Sequence, residues 1–152
     1  MMLSTKGRYA VMAMVDLASQ QKESPVTLAA IAERQEIPLA YLEQIYSRLK
    51  KSGIVSSVRG PGGGYKLGRA ASSLNIAEIV SASEEALKMT RCGGETKVCM
   101  STKTQCLTHD LWEGLGAQID HYLSSLTLAD VVGRRIQAKF PREQFAPFVA
   151  SA

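Results

Sequence analysis

Residues 37–69 read IPLAYLEQIYSRLKKSGIVSSVRGPGGGYKLGR, and this stretch passes from helical periodicity to strand-like runs around a glycine cluster. Pro38 forces Ile37 into an extended conformation and sits well in the first turn of a helix that runs to about Ser52. At about 100° per residue, Leu42, Ile45, Tyr46 and Leu49 fill one arc of that helix. Tyr41, Glu43, Gln44, Ser47, Arg48, Lys50 and Lys51 occupy the opposite half. Gly53 stops the helix. Ile54 to Val58 and Tyr65 to Leu67 then read as two short strands around Arg59-Gly60-Pro61-Gly62-Gly63-Gly64. This is a β-wing with Arg59 near its tip, where glycines let the backbone approach phosphates or a minor groove. A nucleotide cradle would need a helix after the glycines, and a strand follows instead.

Working outward toward the N-terminus, Thr27 caps a short helix from Leu28 to about Arg34, with Leu28, Ile31 and Ala32 facing inward. Ser4 or Thr5 caps a helix running through Tyr9, Val11, Met12, Met14, Val15 and Leu17 to about Gln20, apolar on most faces and so central to a core. Two short helices joined by a tight turn, the second with a free Gln/Ser/Arg/Lys face, match a helix-turn-helix. Amphipathicity alone favours an ordinary solvated face; the wing that follows reverses the balance toward DNA. Up to residue 70 there are ten Lys/Arg and five Asp/Glu, and beyond it eight and nine. A polyanion therefore meets the N-terminal half.

Toward the C-terminus, Asn75 caps a helix from Ile76 to about Ala86, with Ile76, Ile79 and Val80 inward. It leads to a window holding all three cysteines, CGGETKVCMSTKTQCLTH, from Cys92 to His109. Six residues separate each cysteine from the next, and Cys106 and His109 form a Cys-x-x-His step. Four soft or borderline ligands can converge here. A Cys3His zinc site usually shows paired Cys-x2-4-Cys knuckles, which are missing. An iron–sulfur cluster tolerates looser spacing because its core spreads the ligand positions. Spacing by itself leaves zinc and cluster open, with three unrelated thiols as the bland alternative.

After the window Thr108 caps a long helix in which Trp112, Leu115, Ile119, Tyr122 and Leu126 recur at the period of a helix–helix seam. A second copy is the simplest partner for it. Thr127 to Asp130 has the shape of a capping box and starts a last helix through Val131, Val132 and Ile136. From Pro141 a tail with Phe145 and Phe148 is expected to be flexible.

The 152 residues and net charge of +4 suit one domain with an appendage. The odd cysteine count argues for a reducing cytoplasm rather than a disulfide-stapled secreted fold. Asp16 interrupts the early apolar run, which excludes a signal peptide, and no stretch approaches the roughly 20 apolar residues that cross a bilayer. No Ser-His-Asp set, paired carboxylates or Cys-x-x-Cys motif points to an enzyme or a small-molecule substrate.

LSTKGRYAVMAMVDLA (3–18), the stretch quoted at the outset and the three-cysteine window resemble the Rrf2 family of bacterial winged-helix regulators, most closely its IscR-type members. The similarity runs from about Leu3 to about Val131. Each cysteine gap is one residue longer than in the enterobacterial type, and Ala40 stands where a hydroxyl residue is the family's norm. The resemblance implies a mainly α fold with a small β-wing, a winged helix-turn-helix plus a long dimerisation helix. It implies a homodimer that binds double-stranded DNA and a [2Fe-2S] cluster, and controls iron–sulfur assembly genes. Carried over, Cys92, Cys99, Cys106 and His109 are the metal ligands. Tyr41, Glu43, Gln44, Ser47, Arg48, Lys51, Arg59, Pro61 and Gly62 are the DNA-facing set, and Trp112, Leu115, Ile119, Tyr122 and Leu126 are the dimer seam. The expected organisation is a DNA-binding domain over 1–87, a cluster loop over 88–109, dimerisation helices over 110–140 and the tail over 141–152. A nitric oxide or redox sensor of the same build and a zinc-stabilised adaptor are the alternatives.

Overall fold

The computed structural model describes residues 4–20, 24–83 and 105–140. Helix α1 spans Thr5–Gln20, α2 Leu28–Gln35 and α3 Leu39–Lys51. Strands β1 (Val55–Val58) and β2 (Gly64–Leu67) follow, then a 3-10 turn at Ala71–Ser73 and α4 at Ile76–Ser83. The chain closes with α5 (His109–Ser125), α6 (Leu128–Val132) and α7 (Ile136–Lys139). This is a mainly helical fold with one two-stranded wing, as the sequence led one to expect.

Local chemistry sets the boundaries. The Ser4 hydroxyl takes the N–H of Gly7 at 3.3 Å and opens α1. Thr27 is extended and its hydroxyl takes the N–H of Ala30, capping α2. Glu36, left-handed at φ 53°, ends α2, and Pro38 then sits at the N-cap of α3. At the other end of α3, Gly53 has φ +70° and donates to the Lys50 carbonyl, while Ile54 donates to Leu49. This is a Schellman closure, and a side chain at residue 53 would be strained there.

The core is one cluster. Ala10, Ala13, Met14 and Leu17 from α1 meet Ile31 of α2, Leu42, Ile45, Tyr46 and Leu49 of α3, and Ile79 and Val80 of α4. Tyr46 is fully buried, donates its hydroxyl to the Ala13 carbonyl at 3.1 Å and packs edge-on against Tyr65 at 5.0 Å. It thereby ties α1, α3 and β2 together, and burial drives its phenol well above the ordinary tyrosine range. Asp16, which breaks the apolar run of α1, is buried under both nitrogens of the Arg34 fork (2.6–3.2 Å) and the Gln35 amide at 2.8 Å. The carboxylate in turn holds the Arg34 guanidinium above its ordinary range.

Three details of the C-terminal part differ from the sequence reading, the first being that Thr108, expected to cap α5, has φ −102° and ψ 11° and makes no side-chain cap. The helix expected from the Thr127–Asp130 capping box through Ile136 is split, because Arg134 turns left-handed at φ 53° and separates α6 from α7. Leu126, expected on the outward seam, lies past the end of α5 and is buried in the protomer core with Leu128. Its carbonyl accepts from Ile76 and Leu74 accepts from Leu128, so the backbone pins the two inward. Ala86, Cys92, Cys99 and the tail from residue 141 lie outside the described residues. Among the described residues no helix is long and apolar enough to cross a membrane.

Candidate nucleic-acid interface and metal centre

Burying one arc of α3 leaves its other face outward, with Glu43, Gln44, Ser47, Arg48 and Lys51 all exposed. With Ala40 they line one open depression of about 610 Å³. Two of the residues read from the sequence are engaged within the chain. Tyr41 is half-buried, its ring edge-on against Tyr9 at 5.6 Å, so it braces α3 on α1. Arg48 donates to the Ser83 carbonyl at 3.2 Å and links α3 to the end of α4.

The wing stands beside this face. Val55 pairs with Leu67 and Val58 with Gly64 in an antiparallel register. Its tip is Gly60-Pro61-Gly62-Gly63, closed by the Gly63 N–H to the Gly60 carbonyl at 2.9 Å. Pro61 followed by Gly62 at φ +72° is the pattern of a type II turn, which requires glycine at its third position. Arg59, Pro61 and Gly62 are exposed there. Val26 bonds Tyr65 in both directions, at 2.9 and 2.7 Å, and so fixes the wing to the segment before α2. Lys50, placed on the outward half of the helix by its spacing but not in the DNA-facing set, donates to Ser57 at 2.6 Å and bridges α3 to β1. Helix and wing together thus expose Gln44, Ser47, Lys51 and Arg59, side chains of the kinds that meet phosphates and base edges.

The second site lies at the start of α5. Cys106 to His109 form a turn in which the His109 N–H donates to the Cys106 carbonyl at 3.0 Å. Cys106 is half-buried and His109 is 6% exposed, the one buried side chain of α5. A thiol and an imidazole on one turn are a soft and a borderline donor, a pair that suits iron in a sulfur-rich centre as well as zinc. Glu113, one helical turn on, brings Oε2 to 3.7 Å from His109 Nε2. Donor atoms of His109, Asp110 and Glu113 lie within 4.8 Å of one another, a grouping the sequence reading did not identify. The i, i+1, i+4 spacing in HDLWE was the signal available for it.

Along α5, Leu115 and Ile119 are half-buried, while Leu111, Trp112 and Tyr122 are exposed. Tyr122 stacks at a tilt on Phe140, 4.7 Å between ring centres. Ile119, Tyr122 and Phe140, with Gln118 and His121, line a groove of about 410 Å³.

The family model described as "Rrf2: Iron-dependent Transcriptional regulator" matches residues 3–134. The HTH-type transcriptional regulator IscR of Xenorhabdus nematophila is 52% identical over 132 residues, 87% of this chain and 79% of that protein. The regulator of the same name from Klebsiella pneumoniae is 50% identical over 135 residues, 89% and 82% of the two chains. Among solved structures, T. potens IscR superposes with a TM-score of 0.73 at 37% identity, covering 92% of each chain. CymR, the global cysteine regulator of B. subtilis, gives 0.71 at 30% identity over 88% of this chain and 98% of that one. With the helix-turn-helix, the wing and these likenesses together, the chain belongs to the Rrf2 family, as an IscR-type transcriptional regulator rather than an enzyme.

Proposed function

We propose that this regulator is a homodimer of the bacterial cytoplasm that binds a [2Fe-2S] cluster through Cys92, Cys99, Cys106 and His109. It adjusts the expression of iron–sulfur assembly and iron-homeostasis genes to cluster supply. The observation that carries the reading is the Cys106–His109 turn: two metal-type donors, one of them buried, at the first residue of the helix with the exposed apolar stripe. The family's description as iron-dependent supports the choice of metal. When bound, the cluster supplies a charged, redox-active crosslink between ligand side chains. Cys106 and His109 then hold the start of α5 in one position relative to the chain that carries Cys92 and Cys99. Trp112, Leu115, Ile119 and Tyr122 lie one to four turns further along, so the same constraint bears on a dimer seam.

In the dimer each protomer sets α3 and its wing on one half-site, with half-sites about one helical turn apart, roughly 34–36 Å. Lys51 and Arg59 serve phosphates or a narrow groove, and Gln44 and Ser47 serve base edges, while Arg48, bonded to the Ser83 carbonyl, holds the helix that presents them. Glu43 accepts from a cytosine amino group and repels bare acceptors, which suits discrimination between sites.

The test is anaerobic purification followed by an absorption spectrum and assays of iron and acid-labile sulfide. Brown protein with both elements is expected. Cys92→Ala is expected to lose the visible bands and keep the helical circular dichroism. Colourless material lacking iron and sulfide rejects the reading. A second reading, a zinc ion, is favoured by the oxygen donors of Asp110 and Glu113 beside the His109 imidazole and the Cys106 thiol. Stoichiometric zinc in that colourless protein would establish it.

A further inference from the structure

Two threonines open helices in the C-terminal half, and their hydroxyls do different things. Thr127 is extended, φ −91° and ψ 159°, and its hydroxyl takes the Asp130 N–H in a complete capping box. Thr108 stands at the same position of α5 but has φ −102° and ψ 11° and makes no side-chain cap. Those angles belong to the third residue of a type I turn, here Cys106–His109, closed by the bond from the His109 N–H to the Cys106 carbonyl. An N-cap hydroxyl needs the extended conformation, so the turn withdraws it from capping. The hydroxyl lies instead 3.7 Å from the Cys106 sulfur.

A metal-bound cysteine is a thiolate and can only accept, which fixes the direction of this contact. We propose that Thr108 is a positioning residue for the metal centre: its O–H donates to the ligating sulfur of Cys106 and makes the centre easier to reduce. The inference rests on the reading of Cys106 as an iron–sulfur ligand. Hydrogen bonds to cluster sulfurs draw electron density off them and favour the form that carries the added electron. The step concerned is a one-electron reduction, with dithionite as the electron donor and no bond made or broken.

The experiment compares full-length wild type, Thr108→Val and Thr108→Ser after anaerobic reconstitution, with iron and sulfide assayed before a dye-mediated potentiometric titration. Valine keeps the shape and removes the donor; serine keeps the donor. The expected result is a lower midpoint for Thr108→Val, by about tenfold in the reduction equilibrium or ~59 mV for one electron, with Thr108→Ser at the wild-type value. Loading lost in the valine variant but kept in the serine variant carries the same meaning. A valine variant at the wild-type potential overturns the inference, as does a serine variant that shifts, or fails to load, as the valine one does. Wild-type protein without iron and sulfide instead overturns the ligand reading, and the inference falls with it.

Discussion

Helices α3 and α5 are both amphipathic, yet they meet the rest of the protomer in opposite ways. Leu42, Ile45, Tyr46 and Leu49 of α3 are all buried, and only its polar face looks outward. On α5 the buried side chain is His109, while Leu111, Trp112 and Tyr122 reach solvent. The first helix is finished by its own chain, because α1, α2 and α4 close over its apolar arc. The second leaves Leu111, Trp112 and Tyr122 uncovered by its own chain, the surface on which the proposed dimer seam rests. The helix-turn-helix is thus completed within its own protomer, whereas α5 leaves apolar side chains for something placed against it.

The comparison breaks if α3 tolerates truncation. Leu49→Ala should cost about 2–5 kcal/mol of unfolding free energy in a urea titration, the usual range for emptying a fully packed site. A cost well under 1 kcal/mol would mean α3 is not held as described. Trp112→Glu probes the other side. It should weaken self-association at least tenfold in sedimentation equilibrium, since losing a central aromatic anchor often exceeds 2 kcal/mol. The helical signal should persist, and an unchanged monomer–dimer balance would remove Trp112 from the seam.

Smaller effects sharpen the contrast between the helix starts. Thr127→Ala removes a cap in use and should cost about 1 kcal/mol, whereas Thr108→Ala in cluster-free protein should cost only a few tenths. Equal losses in thermal melts would contradict the difference in their backbones. Last comes acid. Lys139, the Thr127 N–H and the Thr127 hydroxyl hold the Asp130 carboxyl below the ordinary carboxylate range. An unfolded aspartate has a pKa near ~3.9, so the folded chain binds that proton less tightly. The contribution is therefore complete above that value and drains away as pH falls below it. Asp130→Asn should flatten the acid limb of the stability profile, and an unaltered slope between neutral pH and about pH 3 would show that the cluster carries no pH dependence.

The parts of the fold legible in sequence are those where one element's pattern suffices. The apolar arc of α3, the turn at Gly53, the capping of α2 and α6, and the Pro-Gly tip of the wing each depend on residues within a few positions. What escaped required contact across the chain. Asp16 looked like an interruption of an apolar helix until Arg34 and Gln35, eighteen and nineteen residues on, closed over it. Leu126 continued a seam by spacing, and the ladder to Leu74 and Ile76 drew it into the core. Tyr41 looked like part of the free face, and Tyr9 claimed its ring.

By itself the sequence determined the kind of module: helix-turn-helix periodicity, a glycine-tipped wing, and a cysteine–histidine window, because helix phase, turn chemistry and ligand type are properties of neighbouring residues. Tertiary structure alone decided which outward-facing side chains remain available to bind and which are used up in holding the protomer together. It also decided that the Thr108 hydroxyl meets a sulfur rather than a helix end. Those outcomes depend on where the backbone carries each group in space, and spacing along a chain does not contain that information.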